Sequence, residues 1–313
     1  MQRRKIGSLN VSLVGLGCNN FGWRLDAEST ANVVNAALEA GINFFDTADI
    51  YGGGQSEEFL GRALGPRRKD VIVATKFGMA MDDNRRGAKP GYVLQAVEDS
   101  LRRLGTDYID LYQLHQPDPS TPIAETLSAL DQVVKAGKVR QIGCSNFSAA
   151  QIREAAAAVT AKAARFVSVQ NEYSLVHREP ERDVLAECER SGLAFLPFFP
   201  LASGLLSGKY RKHQTTPAGT RLASSERFRK LLSPENLDLV EALISYAQSK
   251  GHSLLELSMS WLASHPVVAS VIAGATRAEQ VRANAKAADW EMTKSELSDI
   301  EAIVSRYQLS RAS

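Results

Sequence analysis

The chain has 313 residues, of which 44% are hydrophobic and 23% are charged, proportions typical of a globular protein. Lysine and arginine number 37 and aspartate and glutamate number 35, so the formal net charge is only +2. This balance gives no reason to expect nucleic acid or an anionic membrane as a partner. The three cysteines (Cys18, Cys144 and Cys188) have no CxxC spacing, and we expect them to be reduced thiols.

Targeting signals are weak. The basic N-terminus is not followed by an apolar run, so no secretory signal is predicted. The most apolar long stretch, Leu193 to Leu206, contains two prolines and a glycine and is shorter than the ~20 residues that a membrane-spanning helix needs. The expectation is a soluble, cytoplasmic protein.

Short runs of β-branched and aromatic residues alternate with amphipathic segments along the chain. We predict eight strands from these runs: Ser12–Leu16, Ile42–Phe45, Val71–Thr75, Ile109–Leu114, Val139–Gly143, Phe166–Gln170, Ala194–Phe198 and Val268–Ile272. The segments between them have apolar residues at helical spacing. Such alternation predicts parallel strands joined by crossover helices, either in an open doubly wound sheet or in a closed barrel. The strand starts recur about every thirty residues, which favours a (β/α)8 TIM barrel.

The barrel is predicted to form a single domain over residues 1–313, with an N-terminal cap and an extra C-terminal helix from Thr293 to Tyr307. Residues 81–89 are polar and predict an exposed loop. Residues 208–230 form a long loop after the seventh strand. Loops of this length are usually lids or disordered segments, and the sequence leaves a lid and a mobile surface loop equally open.

Several helix starts have capping signatures. Thr121–Pro122 and Ser233–Pro234 fit an N-cap followed by proline at the first helical position. Capping boxes are predicted at Ser148–Gln151, Thr276–Glu279 and Thr293–Glu296.

Four side chains of complementary chemistry lie at the ends of three successive predicted strands. Asp46 and Tyr51 follow the second strand, and the next two runs end at Lys76 and His115. The carboxyl ends of parallel strands lie side by side in α/β folds, where loops build a pocket. A carboxylate, a phenol, an ammonium and an imidazole in one pocket predict proton delivery, and therefore an enzyme.

The segments around these residues resemble the aldo-keto reductase family. The resemblance rests on six motifs, in order within Gly15 to Asn284: Asp46–Glu57, Ala74–Lys76, Leu114–His115, Gly143–Asn146, Gln170–Tyr173 and Ile272–Gly274. It implies a (β/α)8 barrel that uses NADPH/NADP+ to reduce an aldehyde or ketone to an alcohol, or the reverse.

Under that chemistry each of the four groups has a role. Tyr51 would protonate the oxygen that receives the hydride, although a phenol of pKa near ~10 is a weak acid at neutral pH. The Lys76 ammonium would lower that pKa, and Asp46 would hold Lys76 charged and in place. His115 would donate to the carbonyl oxygen and orient it. Taken singly, these residues also fit a structural ion pair, a rim aromatic and a core histidine.

The resemblance also implies the cofactor contacts. The ribose and nicotinamide side would be met by Gly17, Cys18, Asn19, Asp46, Ser145, Asn146, Gln170 and Phe198. The pyrophosphate loop would contribute Pro200, Leu201, Ser203, Gly204, Leu206 and Lys209. The adenosine end would be met by Gly274, Thr276, Arg277, Gln280 and Asn284.

NADPH selectivity would depend on Arg277, because its planar fork at a helix N-terminus matches a 2′-phosphate. Family members often carry a lysine and an arginine where this chain has Gly274 and Gln280. Arg277 would then act alone, or with Lys209 or Arg282.

The substrate pocket is predicted to include Tyr51 and His115, with Trp23, Tyr92 and the long loop as walls; a surface-packed Trp23 is equally consistent with the sequence. No pair of the remaining histidines has metal-ligand spacing, so no metal is expected. The competing hypothesis is a cofactor-binding sensor or partner protein with little turnover. Oligomeric state has no signature in the sequence.

Overall fold

The strands follow the predicted alternation. The computed structural model describes residues 1–224 and 226–309. Its strands are β1 (Arg3–Ile6), β2 (Leu9–Ser12), β3 (Val14–Gly17), β4 (Phe44–Asp46), β5 (Ile72–Phe77), β6 (Ile109–Leu114), β7 (Val139–Ser145), β8 (Phe166–Glu172), β9 (Ala194–Phe198) and β10 (Val271–Gly274).

Eight of these strands form a parallel sheet in the order β10-β3-β4-β5-β6-β7-β8-β9. The two ends of the sheet approach each other, because the Phe195 amide donates to the Val267 carbonyl at 2.8 Å and the Ala269 amide donates to the Phe195 carbonyl at 3.0 Å. The sheet is therefore a nearly closed barrel, and the predicted (β/α)8 class is confirmed.

The strand bounds differ from the predicted ones mainly at the ends. Ile109–Leu114 and Ala194–Phe198 are as predicted, whereas the last strand begins at Val271 instead of Val268. Val268 makes only an isolated bridge to Phe195, because the ladder to β3 starts with the pair Val271 and Val14. Pairing with neighbouring strands, which the apolar pattern does not specify, fixes these ends.

The helices alternate with the strands on the outside of the barrel. They are α1 (Ala27–Glu39), α2 (Gln55–Leu64), α3 (Pro90–Leu104), α4 (Ile123–Lys135), α5 (Ala149–Ala158), α6 (Val184–Ser191), α7 (Arg221–Ser224), α8 (Glu226–Arg229), α9 (Pro234–Ser249), α10 (Leu254–Ala263), α11 (Ala278–Lys286) and α12 (Lys294–Leu309). Helix α12 is the predicted extra C-terminal helix, and it packs against α9.

The predicted N-terminal cap is an antiparallel hairpin of β1 and β2. Its apolar residues Ile6, Leu9 and Val11 pack in one cluster with interior residues of the barrel strands, such as Leu111 and Leu196. Because this hairpin closes the amino end of the barrel, access to the interior is left at the carboxyl ends of the strands.

Three of the five predicted helix starts are confirmed. Ser148 and Gln151 form a capping box, Ser233 caps α9, and the Thr293 hydroxyl accepts from the Glu296 amide at 3.2 Å. The other two predictions are wrong, and the one at Thr276 lies in the site described below.

At the start of α4 the N-cap residue is Pro122 and not Thr121. The Thr121 hydroxyl donates to the Asp118 carboxylate at 2.9 Å, and the start of α4 has no side-chain capping bond.

Candidate active site

A cleft of about 950 Å³ lies at the carboxyl ends of the barrel strands. Residues at or after the carboxyl ends of all eight barrel strands, β3 to β10, line it, together with residues 217–221 of the long loop. Two hydrogen bonds tie this loop to the segment after β3. Arg24 donates to the Gly219 carbonyl at 2.9 Å and Arg221 donates to Asn20 Oδ1 at 2.8 Å. Residues 217–221 therefore form a lid over the cleft.

Asp46 is the centre of a buried polar network at the floor of the cleft. Its Oδ2 accepts from Lys76 Nζ at 2.6 Å, and its Oδ1 accepts from Gln170 Nε2 at 2.8 Å and Gln113 Nε2 at 3.2 Å. Lys76 also donates to the Thr47 carbonyl at 2.9 Å. The ammonium is thus fixed in one position by two acceptors, as expected for a buried charge.

A sharp turn of three glycines with positive φ angles follows Tyr51. Gly52, Gly53 and Gly54 have φ angles of 58°, 66° and 101°. A Cβ on Gly52 would lie 2.9 Å from the backbone of Gly22. The turn brings Tyr51 next to two other predicted catalytic groups: Lys76 Nζ is 5.2 Å from its ring centroid, and the His115 ring meets it edge to face at 5.8 Å.

Burial dominates the acidity of the Tyr51 phenol. Burial raises its pKa above the ordinary value, the Lys76 ammonium lowers it and the Asp46 carboxylate raises it again, and the net direction is upward. The predicted lowering by Lys76 is thus present as a contribution but does not set the net pKa. For Lys76, burial lowers the pKa, but Asp46 and Tyr51 more than offset this and the pKa is raised.

His115 is buried and neutral. Burial, followed by the nearby Lys76 charge, lowers the pKa of its imidazole to about 3. Its backbone amide donates to the Phe77 carbonyl at 2.8 Å and its carbonyl accepts from Asn146 Nδ2 at 2.9 Å, while Nδ1 has no hydrogen-bond partner among the described residues. A neutral imidazole keeps one N–H with which to donate a hydrogen bond.

The predicted carboxamide contacts lie together between β7 and β8. Ser145 Oγ donates to the Gln170 carbonyl at 2.7 Å, and Asn146 has φ 61°, which places its side chain beside His115. Because the amide NH2 groups of Asn146 and Gln170 are used on His115 and Asp46, their amide oxygens are the atoms without a donor in the described part of the chain. Two such acceptors suit the NH2 group of a carboxamide.

Four cations line the cleft: Arg24, Lys209, Arg221 and Arg277. None of them forms a salt bridge within residues 1–224 and 226–309, and Asp46 is the only carboxylate among the lining residues of that part of the chain. Burial, followed by the charges of Arg24, Arg277 and Arg221, lowers the pKa of Lys209. The cluster is therefore electrostatically unfavourable by itself and suited to an anion with several charges.

The last part of the cleft is the start of α11. The N-cap position is Arg277, which lacks a side-chain capping bond, so the predicted capping box of Thr276 with Glu279 is wrong. Gln280 Oε1 instead accepts from the Thr276 amide at 2.8 Å and from its hydroxyl at 3.1 Å. Asn284 is buried and lines the cleft.

Most of the residues predicted for the site line this one cleft. On it lie Gly17, Cys18, Asn19, Asp46, Tyr51, His115, Ser145, Asn146, Gln170, Phe198, Pro200, Leu201, Ser203, Gly204, Lys209, Gly274, Thr276, Arg277, Gln280 and Asn284. Lys76 lies behind Asp46 and is buried.

Three predicted contacts are placed elsewhere. Leu206 is part of the hydrophobic core, because the turn that contains it directs the side chain inward. Trp23 does not line the cleft: it is 64% exposed, and the Arg221 guanidinium lies 5.7 Å from its ring centroid. Tyr92 directs its hydroxyl to Asp49, at 3.5 Å. Arg282, predicted as a possible partner of Arg277, does not line the cleft and donates to Glu39 on α1 at 3.2 Å.

Several lining residues were not predicted from the sequence: Asn20, Arg24, Met79, Phe199 and Arg221. Residues 208–230 are rich in arginine and lysine, a composition that favours anion binding, but this signal does not single out Arg221. Nothing in the sequence around Arg24 distinguishes it from a surface arginine.

Comparison with known proteins is decisive for the family. The model of the aldo/keto reductase family matches residues 13–305. The chain belongs to the aldo-keto reductase family. It is 37% identical to a probable voltage-gated potassium channel subunit beta of rice (Oryza sativa subsp. japonica), over 97% of each chain, and 34% identical to the aldo-keto reductase YhdN of Bacillus subtilis (strain 168), over 95% of this chain and 91% of that one.

A solved aldo-keto reductase has the same fold. The structure of a glycerol dehydrogenase from Gluconobacter oxydans superposes with a TM-score of 0.85, at 30% identity, over 97% of this chain and 95% of that chain. Membership of the family supports an oxidoreductase that acts on carbonyl groups with a nicotinamide cofactor. Within the described residues no helix is long and apolar enough to cross a bilayer, and no group of His, Cys, Asp and Glu there could hold a metal ion.

Proposed function

We propose that this aldo-keto reductase uses NADPH to reduce an aldehyde or ketone to an alcohol, or catalyses the reverse reaction, in the cytoplasm. The observation that carries the proposal is the shared cleft. Tyr51, His115 and the Lys76–Asp46 pair are brought together at this cleft, which is also lined by four cations without a salt bridge in the described residues.

The residues present fit NADPH. A pyrophosphate and a 2′-phosphate carry about four negative charges, and Arg24, Lys209, Arg221 and Arg277 supply four positive ones. In the same cleft, the amide oxygens of Asn146 and Gln170 can accept from a carboxamide, and Phe198 offers an aromatic face to a planar ring. Arg277, at the N-cap of α11, is the group best placed to bind a 2′-phosphate.

When bound, the cofactor would supply a hydride to the carbonyl carbon, and side chains of this protein would supply and stabilise the proton. Because its pKa is raised, the Tyr51 phenol is protonated at neutral pH and can donate as charge develops on the substrate oxygen. The Lys76 ammonium stabilises the phenolate that remains, and Asp46 holds that ammonium in position. In the tautomer with the proton on Nε2, neutral His115 donates to the same oxygen and orients it.

Turnover of a panel of aldehydes, ketones and polyols, followed by the absorbance of reduced nicotinamide, tests the proposal. Tyr51→Phe should reduce kcat by about 10² to 10⁴-fold, the usual contribution of a general acid, with the Kd for NADPH unchanged. Tyr108→Phe is the matched control, because it removes a hydroxyl from a tyrosine just before β6, at the amino end of the barrel. Retained activity in Tyr51→Phe would exclude this residue as the acid.

A second candidate follows from the rice relative, which is described as a channel subunit. In that case the chain would act as a cofactor-bound partner protein with little turnover. The catalytic groups argue for the enzyme, since cofactor binding alone does not need Tyr51, Lys76 and His115 in one place. NADPH that co-purifies in a one-to-one ratio, together with no turnover of any panel member, would favour the partner role.

A further inference from the structure

Behind the Tyr51 turn lies a second group of polar side chains that the mechanism does not use. We call it the Asp49 cluster; it consists of Asp49, Glu57, Tyr92, Arg103 and Tyr112. Asp49, Glu57 and Tyr112 are fully buried, and Arg103 is nearly so. The members of the cluster come from the β4–α2 turn, α2, α3 and β6, and none of them lines the cleft.

The Asp49 cluster contains two carboxylates and one cation, and Glu57 holds the cation. Glu57 Oε2 accepts from Arg103 Nε at 2.6 Å and its Oε1 accepts from the Thr75 hydroxyl at 2.5 Å. Asp49 has much less: its Oδ2 accepts from the Tyr92 hydroxyl at 3.5 Å, and its Oδ1 has no partner among the described residues. A buried carboxylate with so few donors is accommodated better as the neutral acid.

Direct contacts join the Asp49 cluster to both ends of the Tyr51 turn. Asp49 lies two residues before Tyr51 in the chain, and its backbone amide donates to the Lys76 carbonyl at 3.0 Å. At the other end, a Cβ on Gly54 would lie 2.9 Å from Arg103 Cδ. A charge on Asp49 that repels Glu57 and attracts Arg103 therefore acts on the segment that places the Tyr51 phenol.

We propose that Asp49 is a positioning residue: its neutral carboxyl group holds the Tyr51 turn in the productive geometry, and its ionised form loosens that turn. The inference rests on the proposed function, since it concerns the acid of the proposed reaction. It adds to that function a control of the turn by a group that does not line the cleft.

The charges and burial around Asp49 favour its neutral form, as the proposal requires. Burial, followed by the Glu57 charge, raises the pKa of the Asp49 carboxyl to about 7, against the lowering effects of Arg103, the Ile50 amide and Tyr92. Arg85, from the β5–α3 loop, acts on the cluster through Tyr92.

Because the pKa of Asp49 in the folded protein lies above the unfolded value of about 4, the contribution of its neutral carboxyl group to stability is fully present below the unfolded pKa. It is lost as the pH rises through about 7. The alkaline limb of Tyr51 is separate, because the pKa of that phenol is raised from 10.0.

The first test is the pH dependence of kcat for the wild type, Asp49→Asn and Asp49→Ala. If only the neutral form is productive, wild-type kcat falls about tenfold between pH ~6 and ~8, following the protonated fraction. Asp49→Asn, a neutral isostere, should be flat over this range, and Asp49→Ala should be slow at every pH. Asp131→Asn, in a surface pair with Lys135 on α4, should follow the wild type.

A second readout does not depend on turnover. Hydrogen exchange of the amides of residues 50–54, corrected for its intrinsic pH dependence, should show protection that falls about tenfold across the same pH range in the wild type and stays constant in Asp49→Asn. If no carbonyl is reduced, the proposed function fails, and the exchange data still decide the role of Asp49. Equal pH profiles, or equal protection, in the wild type and Asp49→Asn would overturn the inference.

Discussion

Replacement of Arg221 by alanine tests whether the lid binds the phosphates of the cofactor. The guanidinium is partly buried at the cleft, and burial, followed by the charge of Arg24, lowers its pKa. A hydrogen bond from such a group to a charged acceptor contributes roughly 1.5–3 kcal/mol, which corresponds to about 10- to 150-fold in Kd. Removal of one cation also relieves repulsion from Arg24 and Lys209 in the free protein, so we expect the lower part of this range, about 10- to 30-fold weaker NADPH binding.

The assay is a fluorescence titration of NADPH at ~0.05 M and ~0.2 M salt. Arg211→Ala is the matched control on the same loop, because the Arg211 guanidinium is already paired with Glu241, at 2.7 Å, and does not line the cleft. The salt dependence of the Kd should become weaker in Arg221→Ala and stay unchanged in Arg211→Ala. The reasoning is refuted if the two variants bind NADPH with the same affinity.

Arg277→Ala should weaken NADPH on the order of tenfold and NADH hardly at all, because the lost partner is the 2′-phosphate that only NADPH carries. Arg282→Ala, which loses only its bond to Glu39, is the control for the same titrations; equal losses for both cofactors would contradict the assignment. Lys76→Met should lower kcat by about 10² to 10⁴-fold and shift any remaining alkaline limb upward, since the ammonium lowers the pKa of Tyr51. An unshifted limb in its pH–rate profile would show that Lys76 does not act on Tyr51.

The sequence predicted the barrel and the grouping of Asp46, Lys76 and His115 because both depend on local signals, whereas the cofactor contacts were implied by the resemblance to the family. Apolar runs of four to six residues alternate with amphipathic helices, and the polar residue after each run must lie at the carboxyl end of a parallel strand. For this reason Asp46, Lys76 and His115 could be placed in one pocket without any knowledge of distances. The sharp turn after Tyr51, where Gly52, Gly53 and Gly54 have positive φ angles, was not predicted, although three consecutive glycines are a local signal for such a turn.

What the sequence could not predict depends on contacts between distant segments. The Asp49 cluster joins Asp49 to Tyr92 and Glu57 to Arg103, pairs separated by 43 and 46 residues. The lid bonds of Arg24 and Arg221 span 195 and 201 residues. The direction of the Tyr51 pKa shift could not be predicted for the same reason. The sequence indicates that Lys76, which lowers this pKa, is near, but the burial that outweighs it is a property of the closed barrel. Charged residues such as Asp49 and Arg24 resemble surface residues in the sequence, and only their partners, or the lack of them, identify a functional role.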